Sequence, residues 1–159
     1  MNPPRATTAL RAWRGLTRTL TLPLLGWLWW RGRREPAYRE RLGERLGFIP
    51  ITPTHFGGLW LHAASVGEVQ AARPVIERLL QEGPAHTRVG TTQTPTGAQA
   101  LRNAWGDRIV HRYAPMDTPG AVARFLDRLR PQALILIERD LWPQWLFACA
   151  ERALPVALL

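Results

Sequence analysis

The chain has 159 residues, 46% of them hydrophobic, and a formal net charge of +9. That length supports one domain with a substantial core and an appendage, and no more. A lone cysteine, Cys149, excludes an internal disulfide framework or a cysteine metal cluster, and His55, His62, His86 and His111 lack paired ligand spacing, so no metal is expected.

Residues 1–47 hold ten arginines against Glu35, Glu40 and Glu44, a net of +7, while the remainder carries +2. Basic character confined to one segment points to an anionic surface met by that segment. A nucleic-acid binder shows its basic face on the folded domain, so no nucleic-acid partner is expected. Within the segment, Thr19–Trp30 is an uncharged run of twelve residues. A spanning helix needs about 20, so this run is too short to cross a bilayer comfortably, and Pro23 and Gly26 weaken it further. Trp27, Trp29 and Trp30 followed by Arg31, Arg33 and Arg34 form the aromatic-then-basic edge found where protein meets headgroups. The alternative is an ordinary helix docked on the domain. No A-x-A site follows, which argues against a cleaved signal peptide. Residues 33–47 then read as a short basic helix that Gly47 stops. Residues 1–47 are thus a membrane-associated segment, 48–58 a linker marked by Pro50, Pro53, Gly57 and Gly58, and 59–159 an αβ domain.

From Gly58 onward strands and helices alternate. Strands are predicted at 59–64, 87–92, 109–113, 133–137 and 156–159, with helices at 68–81, 95–105, 119–130 and 142–152. Such alternation builds a parallel sheet covered on both faces, whose chemistry sits at the carboxyl ends of its strands. No G-x-G-x-x-G follows the first strand and no P-loop occurs anywhere, so dinucleotide and nucleotide-triphosphate readings have no motif behind them. The chain ends on an apolar strand, Leu154–Leu159, an ending expected of a fragment of a larger architecture.

Three loops fall on the carboxyl edge. After the first strand, Ser65-x-x-Glu68 has capping-box spacing, in which Glu68 reaches back to the Ser65 amide. On spacing alone the cap is the plainer reading; the alternative is Glu68 as a general base, which needs one oxygen free for a substrate hydroxyl. Gly67 leaves room beside it. After the second strand, Thr94 and Thr96 supply hydroxyls for a sugar or anion, or simple N-caps. Asp117 or Thr118 caps the helix after the third strand. Glu138 ends the fourth strand, either as a second active carboxylate or in an ion pair with Arg139 or another arginine.

RGRREPAYRERLGERLG (31–47), LHAASVGEV (61–69), TTQTPTG (91–97), YAPMDTPGAVARFLDRLRP (113–131) and LIERDLWP (136–143) occur in an order and spacing that resemble the 3-deoxy-D-manno-octulosonic acid (Kdo) transferases of Gram-negative bacteria. The resemblance covers about residues 16–159. It implies a GT-B glycosyltransferase, of which this chain is the Rossmann-like amino-terminal, acceptor-binding domain behind a membrane-associated helical segment. It further implies metal-independent, inverting transfer of Kdo from CMP-Kdo to the lipid A precursor (lipid IVA) at the cytoplasmic side of the inner membrane. CMP-Kdo is then donor substrate and no cofactor is needed. By the same resemblance Glu68 is the general base and Glu138 a supporting catalytic carboxylate. Ser65, Gly67, Thr94, Thr96, Arg31, Arg33 and Arg34 are expected to bind the acceptor, the arginines through its phosphates. The sequence departs from the pattern at Arg139-Asp140, where many members carry Thr-Glu. It also lacks the carboxyl-terminal domain that holds CMP-Kdo, so little or no transfer is expected from these 159 residues alone. Two alternatives compete: a non-enzymatic membrane-surface binding module, and another GT-B transferase acting on a lipid-linked sugar.

Overall fold

β1 (Leu59–His62), a run of large apolar residues, is the centre of the molecule. In the computed structural model, which describes residues 5–50, 57–82, 88–138 and 140–159, it pairs in parallel with β2 (Arg88–Thr92) on one side and β4 (Ala133–Leu136) on the other. β3 (Val110–Tyr113) and β5 (Val156–Leu158) complete the sheet, in the order β3-β2-β1-β4-β5. The chain therefore builds outward from β1 in one direction, then crosses to β4 and builds the other way. The gap between β1 and β4 is the topological switch point, where open α/β sheets bind their ligands.

Period-2 alternation divides β1 between two cores. Trp60, fully buried, faces α6 (Pro119–Leu129) and α7 (Pro143–Glu151), its ring 4.8 Å from Phe125 and 4.9 Å from Trp145. Leu61 faces the opposite layer, packing with Val69 of α3 (Val66–Ala71), Ile76 of α4 (Arg73–Glu82) and Leu101 of α5 (Pro95–Trp105). Gly90 in β2 is imposed by this packing, since a Cβ there would meet Leu101 Cδ1 at 2.5 Å and Ile109 Cγ2 at 2.9 Å.

The predicted αβ elements form, with one divided and one shortened. The single helix expected over 68–81 is two, α3 and α4, parted at Ala72. Pro74 has no N–H to offer the carbonyl four residues back, and its ring crowds that carbonyl. β1 stops at His62 rather than Ala64, but Ala63 still donates to the Thr91 carbonyl at 3.0 Å and Gln93 to that of Ala64 at 3.0 Å, so the first two loops stay laced together.

The amino-terminal segment forms one long helix, α1 (Thr8–Arg31), capped by Thr7, with Pro23 inside it. Among the described residues no helix is long and apolar enough to cross a membrane. The basic helix expected over 33–47 is instead a 3-10 turn, Pro36–Arg39, and a single α-helical turn, α2 (Leu42–Arg45). Tertiary contacts override helix propensity here: Glu44 and Arg45 turn inward at 3% and 5% exposure, and Arg41 is left-handed at φ +52°. Gly47, at φ +84°, packs directly against the Ala121 carbonyl, a contact that leaves no room for a side chain. Ile49, at the start of the expected linker, is buried in the Trp60 core, and residues 51–56 of that linker lie outside the described residues.

Candidate active site at the carboxyl edge

Glu68 sits in the first turn of α3 and is half-buried. Its Oε2 accepts from the Ala64 amide at 2.6 Å, its Oε1 accepts from Ser65 Oγ at 3.1 Å, and its own amide reaches Ser65 Oγ at 3.5 Å. This is a capping box displaced by one residue, because the carboxylate reaches the Ala64 amide and not the expected Ser65 amide. Gly67 beside it is exposed, and a Cβ there would meet only Ser65 Oγ, at 3.9 Å.

Glu138 follows β4 across the switch point. It is exposed and left-handed at φ +61°, a conformation a glutamate adopts only under constraint. Its amide donates to the Leu159 carbonyl at 2.8 Å, and its carboxylate makes no hydrogen bond or ion pair with a described residue. The alternative partner Arg139 lies outside the described residues.

Between these two carboxylates runs a buried polar chain that motif reading missed. His62, fully buried at the end of β1, places Nε2 2.7 Å from Asp140 Oδ2 and Nδ1 2.8 Å from Thr91 Oγ1, which also accepts from Trp60 Nε1 at 2.8 Å. An ionised carboxylate only accepts, so Asp140 fixes a proton on Nε2. Burial, the largest single influence, raises the Asp140 carboxyl, but the His62 and Trp142 side chains together outweigh it and hold the group below its ordinary value. Asp140 thereby ties the loop that carries Glu138 to the strand that precedes Glu68.

The same edge forms one wall of an open, mostly apolar groove of about 390 Å³, the other wall being α1. Leu20, Leu24 and Trp27 of α1 face Thr94, Thr118 and Trp142 across it, with Arg45 also in the lining. Asp117 fastens the wall: Trp13 Nε1 donates to its Oδ2 at 2.5 Å, and the Gln144 and Trp145 amides donate at 3.1 and 3.0 Å. Burial pushes the Asp117 carboxyl up, against the pull of those donors. Thr118 caps α6, as one of the two sequence readings had it, while Asp117 caps α7.

The other expected site residues divide. Ser65 and Thr94 lie on adjoining loops, though Thr94 Oγ1 is also the N-cap of α5, accepting from Gly97 N at 3.1 Å. Thr96 is exposed, its hydroxyl donating to Thr94 Oγ1 at 3.3 Å. Arg31 pairs with Glu35 at 3.0 Å and lies 4.7 Å over the Tyr38 ring, Arg33 lies over Trp29, and Arg34 is exposed. None of these three lines the groove, which takes its arginine from α2. Among the described residues no group of three or more His, Cys, Asp or Glu side chains is arranged to hold a metal ion.

Comparison with known proteins connects this edge to a family. A family model described as 3-deoxy-D-manno-octulosonic-acid transferase (kdotransferase) matches residues 40–159. A 3-deoxy-D-manno-octulosonic acid transferase of Haemophilus influenzae is 38% identical over 128 residues, which is 79% of this chain and 30% of that protein. A probable mitochondrial transferase of the same name from Arabidopsis thaliana is 34% identical across 82% of this chain and 29% of its own length. The Bordetella pertussis enzyme is 34% identical across 93% of this chain and 35% of its own length. The chain thus spans about a third of the length of these relatives.

Proposed function

The chain belongs to the 3-deoxy-D-manno-octulosonic acid transferase family, and from that premise we propose that the gene product transfers Kdo from CMP-Kdo to the lipid A precursor, inverting the anomeric centre without a metal ion. One observation carries the reading: Glu68 and Glu138 follow the two strands that flank the switch point, beside an apolar groove. Glu68 takes the proton of the acceptor hydroxyl as that oxygen bonds to the anomeric carbon and CMP departs with the bonding pair. To do so it exchanges one existing hydrogen bond for the acceptor. The Ser65 contact at 3.1 Å yields more readily than the Ala64 contact at 2.6 Å. Glu138, held in a left-handed backbone with its carboxylate unpaired among the described residues, faces positive charge developing at the anomeric carbon.

Ser65, Thr94 and Thr96 offer hydroxyls to the acceptor sugar, Gly67 gives it access, and the groove receives its acyl chains. CMP-Kdo is held through the greater length that the relatives have and this chain does not, in a two-domain GT-B arrangement. The exposed Leu22, Trp29 and Trp30 of α1, with Arg33 and Arg34 beside them, rest on the cytoplasmic side of the inner membrane.

The test is Kdo transfer from CMP-Kdo to the lipid A precursor by the full-length gene product. Glu68→Gln keeps the size of the side chain and removes the base, and kcat falls by about 10²–10⁴-fold. A second reading, in which Glu68 is only a helix cap on a lipid-surface module, draws on the engagement of both its oxygens. It requires the variant to retain transfer, or the wild type to show none, with loss confined to stability.

A further inference from the structure

Arg45 carries an unbalanced charge. It is 5% exposed, lies in the groove lining, and stacks 4.4 Å over the Tyr113 ring. Its Nη2 donates to the Gln93 carbonyl at 2.8 Å, its Nη1 reaches Gln93 Oε1 only at 3.5 Å, and its Nε has no partner. Among the described residues no carboxylate lies within ion-pair distance of it. Its neighbour Glu44 is committed to the Tyr113 amide at 2.7 Å, Arg41 at 3.4 Å and Arg112 at 3.9 Å. Asp117, the acid in the groove lining, has its oxygens filled by Trp13, Gln144 and Trp145.

Arg41 and Arg112 therefore share the one nearby carboxylate, and Arg45 is left without any in a place largely withdrawn from water. A buried cation with neutral partners is costly unless an anion arrives to balance it. The surroundings register the same excess: His111, within 2.9 Å of Arg41, is pushed down to about 3, by burial first and then by Arg41, Arg102, Arg112 and Arg45. Arg33 and Arg34 are exposed, and solvent already balances them.

The polar lining is donor-rich. Thr94 Oγ1 and Thr118 Oγ1 already accept from amides, which leaves their O–H groups to donate, and Tyr38 lines the same groove. Such donors suit a headgroup that only accepts and has several oxygens to offer, which describes a phosphate monoester. The rest of the lining, Leu20, Leu24 and Trp27, suits an alkyl chain.

We infer that Arg45 is the anion-recognition residue of the groove, and that its occupant is an amphiphile whose phosphate headgroup meets Arg45 while an apolar chain lies along α1. The inference rests on reading the groove as the acceptor's place, and it moves phosphate recognition from Arg31, Arg33 and Arg34 to Arg45.

The test uses the full-length gene product with dodecyl phosphate and the uncharged dodecyl maltoside, both below micelle-forming concentration, read by quenching of tryptophan emission. Trp13, Trp27 and Trp142 line the groove and supply the signal. Wild type binds the phosphate at least about tenfold more tightly, the scale of a charge-assisted hydrogen bond. Arg45→Gln brings the two ligands to within about twofold, and Arg45→Lys, which keeps the charge without the fork, retains part of the preference. Equal binding by wild type, or a preference that survives Arg45→Gln, overturns the inference. Inorganic phosphate binding as tightly as dodecyl phosphate overturns the lipid occupant. Kdo transfer measured on the same preparation separates the two readings: transfer without headgroup preference removes Arg45 alone, and headgroup preference without transfer removes only the transferase.

Discussion

The sheet and α1 are held by opposite means. Around β1 the large apolar side chains face one another and water is excluded, as for Trp60 between Phe125 and Trp145. On α1 only Leu10 and Leu28 are buried, and the specific fastenings are polar: Trp13 to Asp117, Arg14 to Gln144 at 2.7 Å, and Arg14 over the Phe147 ring at 4.7 Å. The apolar stripe of α1 is left standing off the domain, with Leu20 51% and Leu22 77% exposed. A helix attached mainly through its polar groups keeps most of its apolar face available for something other than folding. Exposed apolar stretches of this kind mark binding or membrane contact.

The contrast predicts very different responses to substitution. Trp60→Ala removes the hub of one core and costs about 3–5 kcal/mol, read as a fall in the urea midpoint. Asp117→Ala strands Trp13 Nε1 and two α7 amides at about 1–3 kcal/mol each. Its loss shows first locally, as protease cleavage within residues 8–31 while the sheet still unfolds cooperatively; simultaneous loss of both would mean that α1 is part of the core. Acid titration sharpens the picture. The Asp140 carboxyl is lowered on folding, so its contribution is complete above the ordinary carboxylate range and fades as pH falls through the lowered value. The raised Asp117 works the other way: its contribution is complete below the ordinary range and is lost as pH rises through the raised value. Asp140→Asn therefore flattens the acid side of the stability profile and Asp117→Asn the side above about pH 4. The smallest effect on stability is Leu22→Ser, within about 0.5 kcal/mol, and it still weakens binding to anionic vesicles.

Much of this was legible in the sequence, because strand alternation, Pro-started helices and capping residues are local signals. Pro74 carried the break between α3 and α4, and only its position relative to the apolar run concealed it. What stayed hidden depends on partners far apart in the chain. Arg45 meets Gln93 across 48 residues and His62 meets Asp140 across 78, and no spacing rule reaches that far. The arginines at 31, 33 and 34 drew attention because they cluster in sequence, whereas the arginine without a counter-ion is the one the fold turns inward. Glu68 was found by its place at a helix start, yet its bond to the Ala64 amide follows from where β1 ends.

The polar fastening of α1 also sets an order of events at the ribosome. Its anchors Asp117 and Gln144 lie 104 and 130 residues beyond Trp13 and Arg14, which at about 5–20 residues per second means roughly 5–25 s of synthesis. Through that interval α1 has been made and the surface that receives it has not. α1 thus meets its surroundings before it meets its own anchors.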